Sequence, residues 1–512
     1  MPNCRLFPWI SVVLAAYWWA PTSADARTIG VPSDHSTLQA GIDAASVGDT
    51  VLVAPGTYTG LGNKNLDFGG TDLVLLSEAG AEATVIDCEG EGRGLLFQSG
   101  ETRAAVLDGF TITHGGPGAP WPAHGGGIAC YQASPTITHC IVSKNNHPGW
   151  FGGGGGMTVM ESSALVTHCT IIGNEYEGSP GSGGGVSILY STSDPLFVNC
   201  TIAENVASLF GGGGFYVASG ASATFVDCRI TGNRSLSHGG GAYLGSSGEP
   251  GIALVNCQIS HNTVVFWGGG IHRNSGDVTL MNCTIAGNAV DDNYRQGAGI
   301  SSSSVVEARL ELTNSVVWGN VPDAIWGDPT VSYSNIEGGY EGERNIDAAP
   351  LFADAANDDY HLSDGSPCID TGTAEGAPDT DFEGDVRPIG DGVDMGVDEH
   401  GGGGAPCDLE VGLSGYPEAV LRGDYLTFDA MVANTCDDPL AFDRALMNIT
   451  GPASLEKALY DGDPFPVVDS VATNLSLAVP PRAPLGTYTV EVTIFRDGET
   501  IHSDAFEVEV SG

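Results

Sequence analysis

Three groups of residues in this sequence have types and spacings able to do chemistry. The first is a column of rings. Phe151, Phe210, His238 and Trp267 each stand immediately before a run of glycine, where Ser182 and Gln296 stand in other copies, with Trp150 one residue further back and Tyr294 in an equivalent loop. Flat aromatic faces stack on the C–H faces of sugars. Rings repeated at one place in a repeat would therefore line a carbohydrate-binding edge, or else fold over the glycines and cover the core. The second group is Asp379, Asp381 and Asp385 in DTDFEGD, close together on a Gly-containing loop. This looks like part of a calcium loop but lacks a spaced bidentate Glu. A solvated acidic loop accounts for it equally. The third is His139 and His168, at one position of successive repeats, with Asp227 two repeats on. Such a set could hold a metal or form an acid–base pair. Asn fills the same position in other repeats, so a polar ladder explains it more simply. Elsewhere between 120 and 330 acids and bases are scattered, with no recurring cluster of acids beside Arg or Lys.

The elements that must position these residues come from an internal repeat. THCIVSKN ends at Asn145, and related octets end at Asn174, Asn205, Asn233, Asn262 and Asn288; TNSVVWGN, ending at Asn320, carries Ser315 in place of Cys. Glycine runs separate the copies. Counting from the Cys, position −3 (Ile137, Val166, Phe197, Phe225, Leu254, Leu280, Leu312) and position +2 (Val142, Ile171, Ile202, Ile230, Ile259, Ile285, Val317) are both apolar. Side chains alternate faces along a strand. Two apolar columns five residues apart cannot share one side of a straight strand, so the chain bends near −1. A third short apolar stretch follows each glycine run. Three short strands per repeat, turning at corners, predict a three-stranded parallel coil. The Asn at +5 suits a left-handed corner and coil-to-coil amide bonds, and the glycines supply positive φ at another corner.

Of the 12 cysteines, Cys140, Cys169, Cys200, Cys228, Cys257 and Cys283 share one column and read as small buried thiols rather than a disulfide ladder. Cys407 and Cys436 are the expected disulfide pair. Arg5, the apolar stretch Leu6–Ala20 and Ala24-Asp25-Ala26 together read as a secretory signal peptide over 1–26. No other run is long and apolar enough to span a membrane. The formal charge of −45 repels nucleic acid and anionic lipid and disfavours polyanionic substrates. Gly, 75 of 512 residues, is about twice the usual share of roughly 7% and is patterned, so it does not signal disorder.

GGGI at 125–128 and 268–271, with [IV]xxN after each Cys, resembles the repeats of polymorphic outer membrane proteins, with Ile or Val where that family has Phe. STLQAGIDAASVGDTVLVAPGTY at 36–58 resembles the N-terminal cap and first coil of secreted bacterial pectin-lyase-like proteins. APLFADAANDDYHLSDGSPCIDTG at 349–372 and GVDMGVDE at 392–399 resemble the closing coils of that group. The resemblance implies a right-handed parallel β-helix over 27–400. The group includes lyases, hydrolases and adhesins, so the resemblance does not fix an activity. The NTD, DD, GHG and RIK motifs of polygalacturonase-like hydrolases are not found as a set in this sequence.

GGGGAP at 401–406 reads as a flexible linker. Beyond it, YLTFDAMV at 425–432, TYTVEVTIF at 487–495 and AFEVEV at 505–510 alternate with period two, predicting an immunoglobulin-like β-sandwich over 407–512. The sequence thus points to a secreted or cell-surface all-β protein, non-catalytic and adhesive or glycan-binding. The alternative is a polysaccharide lyase or glycoside hydrolase. The expected partner is an extracellular glycan or cell-surface component, with no nucleic acid and no cofactor beyond a calcium ion at the acidic loop.

Overall fold

The computed structural model describes residues 26–116, 125–147, 153–178, 181–208, 211–218, 220–245, 251–291, 297–303 and 309–401, and eight strands between 409 and 511. The chain divides into two compact units, one holding Met1–Phe382 and Val386–Gly401, the other Glu383–Asp385 and Gly402–Gly512.

The first unit is a right-handed parallel β-helix. Each repeat gives one strand to each of three long parallel sheets. Sheet A runs from Thr28–Val31 to Thr330–Ser332, sheet B from Gly56–Tyr58 to Asn335–Ile336, and sheet C from Leu66–Asp67 to Ile325–Trp326; they hold 12, 11 and 10 strands among the described residues. Six repeats add a two-residue strand between B and C, from Asn146–His147 to Ala289–Val290, forming a narrow sheet D. Sheet D was not anticipated, because two residues are too short to show a period. One helix, α1 (Leu38–Ala44), capped by the Thr37 hydroxyl, buries Leu38 and Ile42 against the first coil.

The two apolar columns line the interior from sheets A and B, with the residue after each glycine run facing them from sheet C. Phe197 and Phe225 stack at 4.8 Å, and Phe215 lies 4.3 Å from Phe225. The bend between A and B falls at the −1 column: His139, His168, Asn199, Asp227, Asn256, Asn282 and Asn314 all have φ between 47° and 52°. This left-handed corner turns column +2 inward despite its odd spacing from −3.

The cysteine column follows that corner. Each Sγ donates to the carbonyl two residues earlier, as in Cys140 to Thr138 O at 3.1 Å and Cys200 to Val198 O at 3.2 Å. Ser315 makes the same bond with its hydroxyl at 3.0 Å, so Ser substitutes for Cys without loss. All nine described cysteines are free and buried. Burial pushes the Cys169, Cys228 and Cys257 thiols up, away from the reactive thiolate.

At the corner after sheet B the asparagines form a continuous buried ladder. Asn174 Oδ1 accepts from Asn145 N and Nδ2, and Asn174 Nδ2 donates to Asn205 Oδ1; the pattern continues through Asn233, Asn262 and Asn288 to Asn320. The glycine corner is needed mainly for space. Gly239 and Gly268 have positive φ, but Gly213 and Gly240 do not. A Cβ on Gly213 would lie 2.2 Å from Gly240 O, and one on Gly240 2.2 Å from Gly269 O. The coils touch here backbone to backbone.

Residues 349–372 and 392–399, expected as closing coils, belong to a strap over 352–400 that folds back along the outside. The reason is the corner column, whose side-chain amides offer donors outward. Asn314 Nδ2 donates to Thr373 O, Asn256 Nδ2 to Thr380 O and Asn282 Nδ2 to Asp394 O. The buried Arg387 guanidinium secures the strap, donating to Val397 O at 2.7 Å, to Gly396 O and to Glu399. Desolvation pushes the buried Asp394 carboxyl up to about 6.

The second unit holds two β-sheets, one of three strands (Leu409–Ser414, Tyr425–Asn434, Ser470–Ala478) and one of five (Ala419–Leu421, Leu440–Thr450, Leu455–Val467, Gly486–Arg496, Glu499–Ser511). Pairing is antiparallel except between Ala419–Leu421 and Glu499–Ser511. The three alternating segments read from the sequence are strands at these places.

Candidate functional site

Sheet C carries the most distinctive outer surface. In each post-glycine strand the first residue faces the core and the second faces out. In three consecutive coils that second residue is Tyr216, Tyr243 and His272, held in register. The rings follow one another at 5.2 Å and 5.2 Å between centroids. The corner before the glycines brings more rings onto this row. His238 lies 4.7 Å from Trp267, 5.8 Å from Phe266 and 5.0 Å from His272. Parallel bridging between His238 and Trp267 fixes two neighbouring coils relative to each other.

The result is an aromatic patch across three coils. Trp267 is its open face, 37% exposed; Tyr216, Tyr243 and Phe266 are half-buried, and His238 and His272 are buried. Burial lowers His238 to about 4 and His272 to about 3, so both imidazoles are neutral near pH 7. Ser237 Oγ and Ser301 Oγ bond their Nδ1 atoms. Desolvation raises Tyr216 to about 12 and raises Tyr243 as well, so the phenols stay protonated. Arg273 follows His272, but its side chain is buried and donates to Gly276 O and Ser302 Oγ. The patch therefore offers ring faces, phenol hydroxyls and neutral imidazoles, and none of its own ring side chains is charged near pH 7. It suits stacking and hydrogen bonding rather than proton transfer.

Of the six ring residues singled out in the sequence, His238 and Trp267 come together here. His238 supports the patch from beneath rather than presenting a face. Trp150, Phe151, Phe210 and Tyr294 lie outside the described residues. Sequence reasoning missed Tyr216, Tyr243 and His272. Their signal was the period-two parity of the short strand after each glycine run, which marks its second residue as outward.

The other candidates are separate. Asp381 is buried and accepts from Glu399 N at 2.9 Å, while Asp379 is exposed and its carbonyl accepts from Arg387 N. Asp385 is half-buried and grouped with the second unit. Cys407 and Cys436 lie outside the described residues. In the −1 column His139 Nδ1 meets Asp108 Oδ1 at 3.0 Å, and its ring stacks on His168 at 5.2 Å. Among the described residues no three ligating side chains gather there.

Residues 73–264 match the family model described as the right-handed β-helix region. No curated protein matches the chain. Among solved structures, pectate lyase Pel9A is similar over 73% of this chain and 96% of its own, at 15% identity and a TM-score of 0.44. A β-glucosidase from Listeria innocua aligns over 21% of this chain and 16% of its own, at 17% identity and a TM-score of 0.15. The sporulation control protein Spo0M from Bacillus subtilis aligns over 20% and 49%, at 10% identity and a TM-score of 0.16. The stacked sheets and the family match over the central coils together establish the first unit as a right-handed parallel β-helix.

Proposed function

We propose that this chain is a secreted or cell-surface β-helix protein that binds carbohydrate on the outer face of sheet C without cleaving it. One observation carries the reading: Trp267, Tyr243, Tyr216 and their supporting imidazoles form a contiguous aromatic patch on a backbone locked coil to coil. Sugars present C–H faces to such rings and hydroxyls to phenol and imidazole partners. A platform on strands is pre-organised, so little entropy is lost on binding. The acidic surface keeps such a protein dispersed outside the cell. The second unit, read as an immunoglobulin-like sandwich, serves as an accessory module.

A glycan array probed with the full chain tests the reading. Saturable binding is expected, weakened at least about tenfold by Trp267→Ala with an unchanged circular-dichroism spectrum. Binding that is indifferent to Trp267→Ala and Tyr243→Ala would sink it. The Asp108–His139 pair favours a second reading, a polysaccharide lyase or hydrolase. That reading requires reducing ends or unsaturated products from a polysaccharide, lost in Asp108→Asn.

A further inference from the structure

The outward column of sheet C continues past the patch. After His272 the next in-register residues are Ser301 and then Trp326. Ser301 is small and bonded to His272 Nδ1 at 2.9 Å, which leaves a step in the row. Trp326 is 39% exposed, close to the 37% of Trp267. Residues in one register column share a face of the sheet, so Trp326 lies on the same outer face as Tyr216 and Tyr243. Four coil steps of about 4.8 Å separate Tyr216 from Trp326, giving a row roughly 19 Å long. It runs along the helix axis, across the strands. One exposed indole beside the row at the patch and a second on the row at its far end, with a gap between them, suit an extended chain of rings better than a single sugar.

The charges near this row select among such chains. Among the described residues the row carries no cation. The Arg273 head is buried and bonded at Gly276 and Ser302. His238 and His272 are neutral near pH 7. At the far end two carboxylates, Asp323 and Asp328, flank Trp326 in sequence, while Arg309 in the neighbouring coil is paired with Glu311. Asp323 accepts from Ala298 N, and Asp328 lies exposed two residues beyond Trp326. The whole chain carries −45. Screening over about 8 Å at physiological salt leaves these near carboxylates unfavourable to a polyanion lying on the row.

We propose that this site takes a linear, uncharged glycan laid along the helix axis, stacked on the Trp267 patch at one end and on Trp326 at the other. The proposal rests on the carbohydrate reading above and goes further in naming ligand class, direction and far subsite. The test uses the full chain, an array of neutral and uronate oligosaccharides, and calorimetry on a length series of each hit. Neutral hits are expected whose affinity rises with length and changes little with salt. Trp326→Ala removes the gain from length, about tenfold, and leaves the shortest binders unaffected; Trp267→Ala weakens both. Thermal melts of Trp326→Ala matching the parent show that the fold is kept. Uronate hits as tight as neutral ones overturn the proposal while leaving the carbohydrate reading intact. Unchanged affinity for long chains in Trp326→Ala overturns the axial placement. Absence of binding to any oligosaccharide removes both.

Discussion

Replacing Asn233 by Ala probes what holds the coils in register. The Asn233 side chain is fully buried and makes four bonds: Nδ2 donates to Ile202 O at 2.8 Å and to Asn262 Oδ1 at 3.0 Å, and Oδ1 accepts from Asn205 N and Asn205 Nδ2, each at 3.0 Å. Ala leaves Asn205 N and one Asn205 Nδ2 hydrogen buried without partners; Ile202 O lies within the paired strands of sheet B, and Asn262 Oδ1 still accepts from Asn233 N. At about 1–3 kcal/mol per orphaned buried group, the two cost roughly 2–5 kcal/mol after partial relaxation. Asn320, the last rung, accepts from Asn288 N and Nδ2 in the same way but donates to Ile285 O and Trp318 O rather than to a further Asn. It is slightly exposed, at 5%, so Asn320→Ala costs less. In a stack of nearest-neighbour contacts the loss is local. Urea unfolding gives the overall change, and hydrogen exchange at the amides of 200–235 locates it. A loss under about 1 kcal/mol for Asn233→Ala, or an equal loss at Asn320, would refute the claim that the mid-ladder amides carry this load.

Three further outcomes follow from the same geometry. His238 and His272 are lowered from the usual 6.5 to about 4 and about 3. Their contribution is therefore full above pH 6.5 and drains as pH falls through those values, on the order of 3 kcal/mol for His238. Asp394, raised from 3.8 to about 6, acts oppositely, its contribution present below 3.8 and lost as pH rises through 6. A His238→Gln/His272→Gln variant should show a flatter melting-temperature profile between pH 6.5 and 4; an unchanged slope contradicts the assignment. The nine free, buried thiols should ignore Ellman's reagent in the native chain and react after denaturation, and rapid native reaction of several would contradict their burial. Gly213→Ala, whose Cβ would meet Gly240 O at 2.2 Å, should destabilise far more than Gly173→Ala, which meets nothing within 4 Å and bears only the strain of φ +62°. Comparable melting temperatures for the two would show that backbone contact is not what requires glycine.

The repeating part of the fold was legible because each repeated residue has one local job. Asn at +5, Cys at the corner and the two apolar columns recur because every coil poses the same packing problem. The strap was not legible, because its partners, Asn256, Asn282 and Asn314, lie about 60 to 120 residues from it in sequence and carry the same residue type as uncovered Asn199. The glycine runs were found, but their cause is the approach of a neighbouring coil more than positive φ. At the site, the rings before the glycines drew attention by repetition. The more central Tyr216, Tyr243 and His272 differ from Thr158 and Ser187 in the same column, so no repeat signal marked them.

The asparagine ladder also bears on how such a molecule changes length. Every amide points the same way, its oxygen toward the preceding coil and its nitrogen toward the next. Each coil therefore presents the same acceptor below and the same donor above, and aligned amides polarise one another. A whole coil can be duplicated or excised by unequal recombination between repeats, and the new neighbours meet with matched bonds at both seams. Copy number is thus a variable open to selection without redesign of the core, and the length of the outer row on sheet C changes in step with it.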